Sequence, residues 1–124
     1  MSMIKNFLTA FTSSVAGVRH VAPAEAARLV TSGSAVLVDV REPAEWAGGV
    51  AKPAQLLTLS DLTGPRRDWH GFLARNKQRE IILYCHSGSR SASAGKLLAG
   101  EGYRVANLGG YSAWAAAGLP TRKV

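Results

Sequence analysis

Two short runs, Ala35-Val36-Leu37-Val38-Asp39-Val40 and Ile81-Ile82-Leu83-Tyr84, limit the folds open to this chain of 124 residues more than any other feature. Each is almost continuously apolar, rich in β-branched residues and short, so each reads as a strand covered on both faces. Strands of this kind build parallel sheets, whose crossover connections place helices on either side.

The intervening segments supply those helices. Pro23 to Val30 reads as a helix with proline in its first turn and Gly33 beyond its end. Arg41-Glu42-Pro43 turns the first run into a short helical segment over 44–47, stopped by Gly48 and Gly49. Leu56 to Leu59 is expected as a short strand. Turn residues Ser60, Asp61, Thr63, Gly64 and Pro65 then lead to an amphipathic helix with Trp69, Phe72 and Leu73 that reaches about Asn76. A helix is expected from Ser91 to Glu101 with Gly102 as its cap, a strand from Tyr103 to Asn107, and a turn at Leu108-Gly109-Gly110. An Ala-rich helix from Tyr111 to Ala117 follows, ended by Gly118 and Pro120. Strand and helix alternate throughout, the pattern of an α/β domain with a central, mostly parallel sheet and helices on both faces.

The formal net charge is +7, which draws anionic ligands towards a cleft. The basic residues are nevertheless scattered, and the densest stretch, Arg66 to Arg79, is interrupted by Asp68, Trp69, His70 and Phe72. It reads as a solvated helix face. No helix-turn-helix, zinc or RNP-type pattern accompanies the charge, so nucleic acid is not expected as the primary ligand. Trp46, Trp69 and Trp114 sit among apolar neighbours and read as core, with Trp114 a candidate for the cleft border.

One cysteine excludes an internal disulfide and a Cys-rich metal site, and the three histidines His20, His70 and His86 show no zinc spacing. Neither metal nor organic cofactor is expected. Ile4, Phe7, Leu8, Phe11 and Val15 fall on one helical face, so residues 1–18 are read as an amphipathic segment preceding a domain over 19–124. Cytoplasmic placement is expected; the alternative is export through a weak signal ending at the small residues Ser14-Val15-Ala16. No run of about eighteen apolar residues is present, so no spanning helix is expected.

The chemistry concentrates on Cys85. A thiol becomes nucleophilic as its thiolate, which positive charge or a helix N-terminus stabilises. Cys85 closes a buried strand, and the residues after it, His86-Ser87-Gly88-Ser89-Arg90-Ser91, are small, flexible or cationic and run into a helix. Backbone N–H groups of such a loop can converge on the sulfur. The hydroxyls of Ser87, Ser89 and Ser91 and the guanidinium of Arg90 are candidates for holding an anion. In open α/β sheets ligands bind outside the carboxyl ends of the strands, where Asp39-Val40-Arg41 and Cys85 to Arg90 both lie. Asp39 and Arg41 read as supporting residues, as an ion pair tying the junction or as substrate contacts. His86, beside the nucleophile, points to acceptor selection.

The segment Cys85-His86-Ser87-Gly88-Ser89-Arg90-Ser91 resembles the active-site loop of the rhodanese family of sulfurtransferases. Val38 to Trp46 resembles the family's strand-end segment, and Asn107 to Trp114 its closing turn and last helix, so the likeness runs from about His20 to Pro120. It implies a single rhodanese-like three-layer domain. It also implies transfer of a sulfane sulfur from an anionic donor such as thiosulfate, or from a persulfide, to cyanide, a thiol or a protein through a persulfide on Cys85. One departure is visible: where the family has a Gly-His-Ile-type segment, this chain reads Gly48-Gly49-Val50. Two rivals remain. Cysteine-dependent phosphatases and arsenate reductases also place Cys and Arg around an anion loop, but the loop here is one residue shorter than the phosphatase pattern. A non-enzymatic relay or interaction module is the other.

Overall fold

A computed structural model describes residues 17–124. The amphipathic segment and the alternative export signal at the N-terminus lie outside the described residues, except that Gly17 and Val18, assigned above to that segment, are described and Val18 opens the first strand.

Among the described residues there are seven strands and six helices. They are β1 (Val18–His20), α1 (Pro23–Thr31), β2 (Ala35–Asp39), α2 (Pro43–Trp46), β3 (Val50–Ala51), β4 (Gln55–Leu56), α3 (Leu59–Leu62), α4 (Trp69–Arg75), β5 (Glu80–Cys85), α5 (Ser89–Gly100), β6 (Val105–Gly110), α6 (Tyr111–Ala116) and β7 (Thr121–Arg122). Five strands form a parallel sheet in the order β1-β6-β5-β2-β4, and β3 and β7 form a separate antiparallel pair. The two apolar runs become β2 and β5, neighbours in the middle of the sheet.

Alternation along β5 divides the interior into two layers, because successive side chains point to opposite faces. Ile81, Leu83 and Cys85 join Val38, Leu62, Trp69, Phe72 and Leu98 in one apolar cluster. Ile82 and Tyr84 join Leu37, Ala26, Leu108 and Trp114 in the other. Helices α3, α4 and α5 therefore cover one face and α1 and α6 the second. This is the three-layer arrangement expected from the pattern. Trp69 and Trp114 are fully buried, one in each layer, and Trp114 donates its indole N–H to the carbonyl of Pro120 at 2.8 Å, whereas Trp46, expected in the core, is half-buried and joins neither cluster.

Several boundaries differ from the sequence expectation, each for a tertiary reason. The strand expected at Leu56 to Leu59 is confined to Gln55–Leu56, because Thr58 caps a helical turn by accepting the amide of Asp61 at 3.1 Å. The helix expected from Ser91 begins at Ser89, since Gly88, at φ 104°, already turns the chain into its first turn. Strand β6 continues through the glycines expected as a turn, pairing Gly109 with Tyr84 and Gly110 with Cys85. The charged tail forms β7, and Arg122 donates to the carbonyls of Lys52 at 3.1 Å and Ala54 at 3.0 Å.

Candidate active site

Cys85 is the last residue of β5, and alternation directs its side chain beneath the first turn of α5. A helix begins with backbone N–H groups that have no partner within it. Here the amides of Gly88 and Ser91 donate to Cys85 Sγ at 3.0 and 3.4 Å, and the hydroxyl of Ser91 lies 3.4 Å from the same sulfur. Burial pushes the thiol pKa up, but the hydrogen bonds from the Ser91 hydroxyl and from the amides of Ser91, Gly88 and Ser87 outweigh it, and the net shift is downward. Neutral donors hold the anion. Cys85 has no exposed surface, whereas His86, Ser87 and Ser89 are exposed.

The end of β6 keeps this loop in shape. Asn107 donates its side-chain amide to the Gly88 carbonyl at 3.1 Å and accepts the Ser91 hydroxyl at 2.8 Å and the Gly109 amide at 3.0 Å. Gly109 and Gly110 let the strand end press against the loop. A Cβ at position 110 would collide with the His86 carbonyl oxygen, and one at Gly88 would lie 3.3 Å from Gly109 Cα. Asn107 and the two glycines were not singled out as site residues from sequence. The signal was a polar side chain within an otherwise buried strand, which demands a hydrogen-bonding partner.

Arg90, read from sequence as a charge for the bound anion, lies within the field of Cys85, but its side-chain hydrogen bonds go to Glu45. Its guanidinium grips Glu45 of α2 in a bidentate pair at 2.6 and 2.7 Å. That bond outweighs burial, which pushes the other way, and holds the Glu45 carboxyl down at about 2. Glu45 also accepts the amide of Glu42 at 3.1 Å as one half of a capping box, so its carboxylate joins α2 to α5. Sequence reading missed Glu45 as a site residue, because its partner lies 45 positions away.

Asp39 and Arg41 form a buried ion pair. Arg41 donates to both Asp39 oxygens at 2.8 to 3.1 Å and to the Gly49 carbonyl at 2.8 Å. The guanidinium carbon lies 4.6 Å from the Tyr111 ring centroid and 5.7 Å from that of Tyr84. Tyr84 accepts the Ala51 amide at 3.0 Å, so the segment without the histidine is held by a phenol from β5. This pair belongs to the face opposite Cys85 and ties the junction together. His20, set aside in the sequence reading, pairs in register with Asn107, and His70 is the second residue of α4.

The fold and the site define an α/β domain that presents a strand-end cysteine in an anion-stabilising loop. The Rhodanese-like domain profile matches residues 22–117, and the chain belongs to that family. A sulfurtransferase from Allochromatium vinosum is 41% identical over 95 residues, 75% of this chain and 83% of that protein. A Rhodopseudomonas palustris structure, described as a protein of unknown function and possible tyrosine phosphatase, has a TM-score of 0.71 at 29% identity, covering 85% of each chain. The crystal structure of a thiosulfate sulfurtransferase from Pseudomonas aeruginosa shares the fold with a TM-score of 0.70 at 22% identity. It covers 90% of this chain and 20% of that one. Among the described residues no helix is long and apolar enough to cross a membrane.

Proposed function

We propose that the protein is a sulfurtransferase that carries a sulfane sulfur on Cys85. The observation that carries this reading is the convergence of two amides and a hydroxyl on Cys85 Sγ. The Cys85 thiolate attacks the outer sulfur of the donor; a new S–S bond forms, the donor's S–S bond breaks, and its electron pair leaves with the remaining fragment. An acceptor nucleophile, whether cyanide, a thiol or a protein thiolate, then attacks the outer sulfur of the Cys85 persulfide and the thiolate is restored. Splitting one transfer into two covalent steps lets a single cysteine serve donor and acceptor in turn. The loop amides that hold the thiolate also suit the anionic persulfide, and residues 86–89 form the surface around it. Because the thiol is enclosed, this surrounding loop yields locally when a donor enters.

Mass spectrometry after incubation with thiosulfate or a low-molecular-weight persulfide tests the reading. The expected result is a gain of one sulfur on Cys85 that is absent in Cys85→Ser. Folded protein with a free thiol that gains no sulfur from either donor would overturn it in favour of an interaction module. Phosphatase turnover as fast as sulfur transfer would overturn it in favour of a cysteine-dependent phosphatase.

A further inference from the structure

The charges around the mouth of the loop speak to the donor. Arg90 is bound face to face by Glu45, and it also lies within the fields of Glu42 and of Cys85. One guanidinium thus answers three groups that carry negative charge when the thiol is ionised. The Glu42 carboxylate accepts the Ser60 hydroxyl at 3.0 Å and the amide of Glu45, and no cation pairs with it among the described residues. The other cation nearby, Arg41, is cancelled by Asp39 in a buried pair. The remaining ionisable side chain of the loop is the exposed imidazole of His86. Among these side chains Asp39, Glu42 and Glu45 face Arg41 and Arg90, so permanent negative charge exceeds positive by one, against an overall charge of +7.

Resting on the sulfurtransferase reading, we propose that Glu42 and Glu45 are specificity-determining residues that select an organic persulfide, singly charged at its reacting end, over the dianion thiosulfate as donor. Thiosulfate brings two negative charges to the Glu42 side of the mouth, and attack by Cys85 releases sulfite with both of them. A persulfide ionises more readily than a thiol and brings one, as R–S–S⁻. Attack on its outer sulfur forms Cys85–S–S⁻, breaks the donor's S–S bond and releases R–S⁻, so the total charge is unchanged. Like charges on approach slow the dianion more than the monoanion.

Rapid-mix mass spectrometry of Cys85 loading, with thiosulfate and with cysteine persulfide at the same low ionic strength, measures this as a ratio of two rates. Glu42→Gln is expected to raise the thiosulfate-to-persulfide ratio by roughly fivefold, an effect that high salt erases. His86→Arg adds a permanent cation at an exposed position without touching the capping box and is expected to raise the ratio in the same direction. Glu25→Gln in α1 changes the net charge equally but lies away from the loop, and the ratio should stay at the wild-type value. An unchanged ratio in both Glu42→Gln and His86→Arg, or an equal rise in Glu25→Gln, would overturn the selectivity and leave sulfur transfer standing. Failure of either donor to load wild-type Cys85 would remove the underlying function itself.

Discussion

Ser91 Oγ and Asn107 Oδ1 meet at 2.8 Å beneath the cysteine loop, and Cys85 Sγ lies 3.4 Å from the same hydroxyl. The one hydroxyl proton thus has three acceptors in reach, the Asn107 side-chain oxygen, the Gly88 carbonyl at 3.1 Å and Cys85 Sγ. With the sulfur protonated, Asn107 is the better acceptor; an ionised sulfur competes for the proton. Ser91→Ala removes this donor but leaves the backbone amides in place. Because the Cys85 pKa is lowered, its thiolate persists to lower pH than a free thiol and reactivity falls as pH drops through that value. The variant is expected to move the midpoint of the sulfur-loading rate to higher pH and to slow loading near neutrality by about three- to tenfold. A pH series of loading rates measures both.

The Glu45–Arg90 clasp has a separate signature in acid. The Glu45 carboxyl is lowered from 4.5 to about 2, so its contribution to stability is complete above its ordinary value and is lost as pH falls from 4.5 towards about 2. The two side chains are about one-third exposed, and solvent screening limits the contribution to about 1 kcal/mol or less. Thermal unfolding from neutral pH into acid should show wild type and Glu45→Gln converging, with wild type the more stable near neutrality.

Asp39→Asn strands a buried guanidinium, and removing one member of a buried ion pair costs about 3 to 5 kcal/mol. Urea unfolding should show a loss of that order. The double variant Asp39→Asn with Arg41→Gln should lose less than the sum of the two single changes, since neither charge is then left without its partner.

The contact between Gly110 and the loop carbonyl gives a sharper test of loop shape. Gly110→Ala sets a methyl group against the backbone of His86. Loading of sulfur on Cys85 is expected to fall at least tenfold while the protein stays folded, because both loop amides move off Sγ together. Circular dichroism and loading rates, measured side by side, separate this from general unfolding.

The features readable from sequence were those with a local cause. β-Branched runs defined β2 and β5, Pro23 and Gly33 bracketed α1, and Gly88 with its serines announced a loop folding back on a cysteine. What escaped depended on partners distant along the chain. Arg90 looked free because Glu45, which neutralises it, belongs to another helix. Asn107 became important only through register, since β6 pairs with β5 in a way that carries its amide under Gly88. Strand β7 is two residues long and acquires its conformation from β3. The helix at Leu59–Leu62 was hidden by residues that also favour turns, and the Thr58 cap decided between them.

Tyr84 and Cys85 are adjacent in sequence yet serve opposite layers, one bracing the Arg41 junction and the other entering the first turn of α5. A slip of β5 by a single residue would exchange them, setting a phenol under the helix and a thiol among the tyrosine and arginine contacts. Such a misregistered chain could keep its helix and strand content and still be chemically silent. Sulfur loading on Cys85, as proposed, would therefore be a readout of strand alignment, able to distinguish correctly threaded molecules in a refolded population that spectroscopy would count as equal.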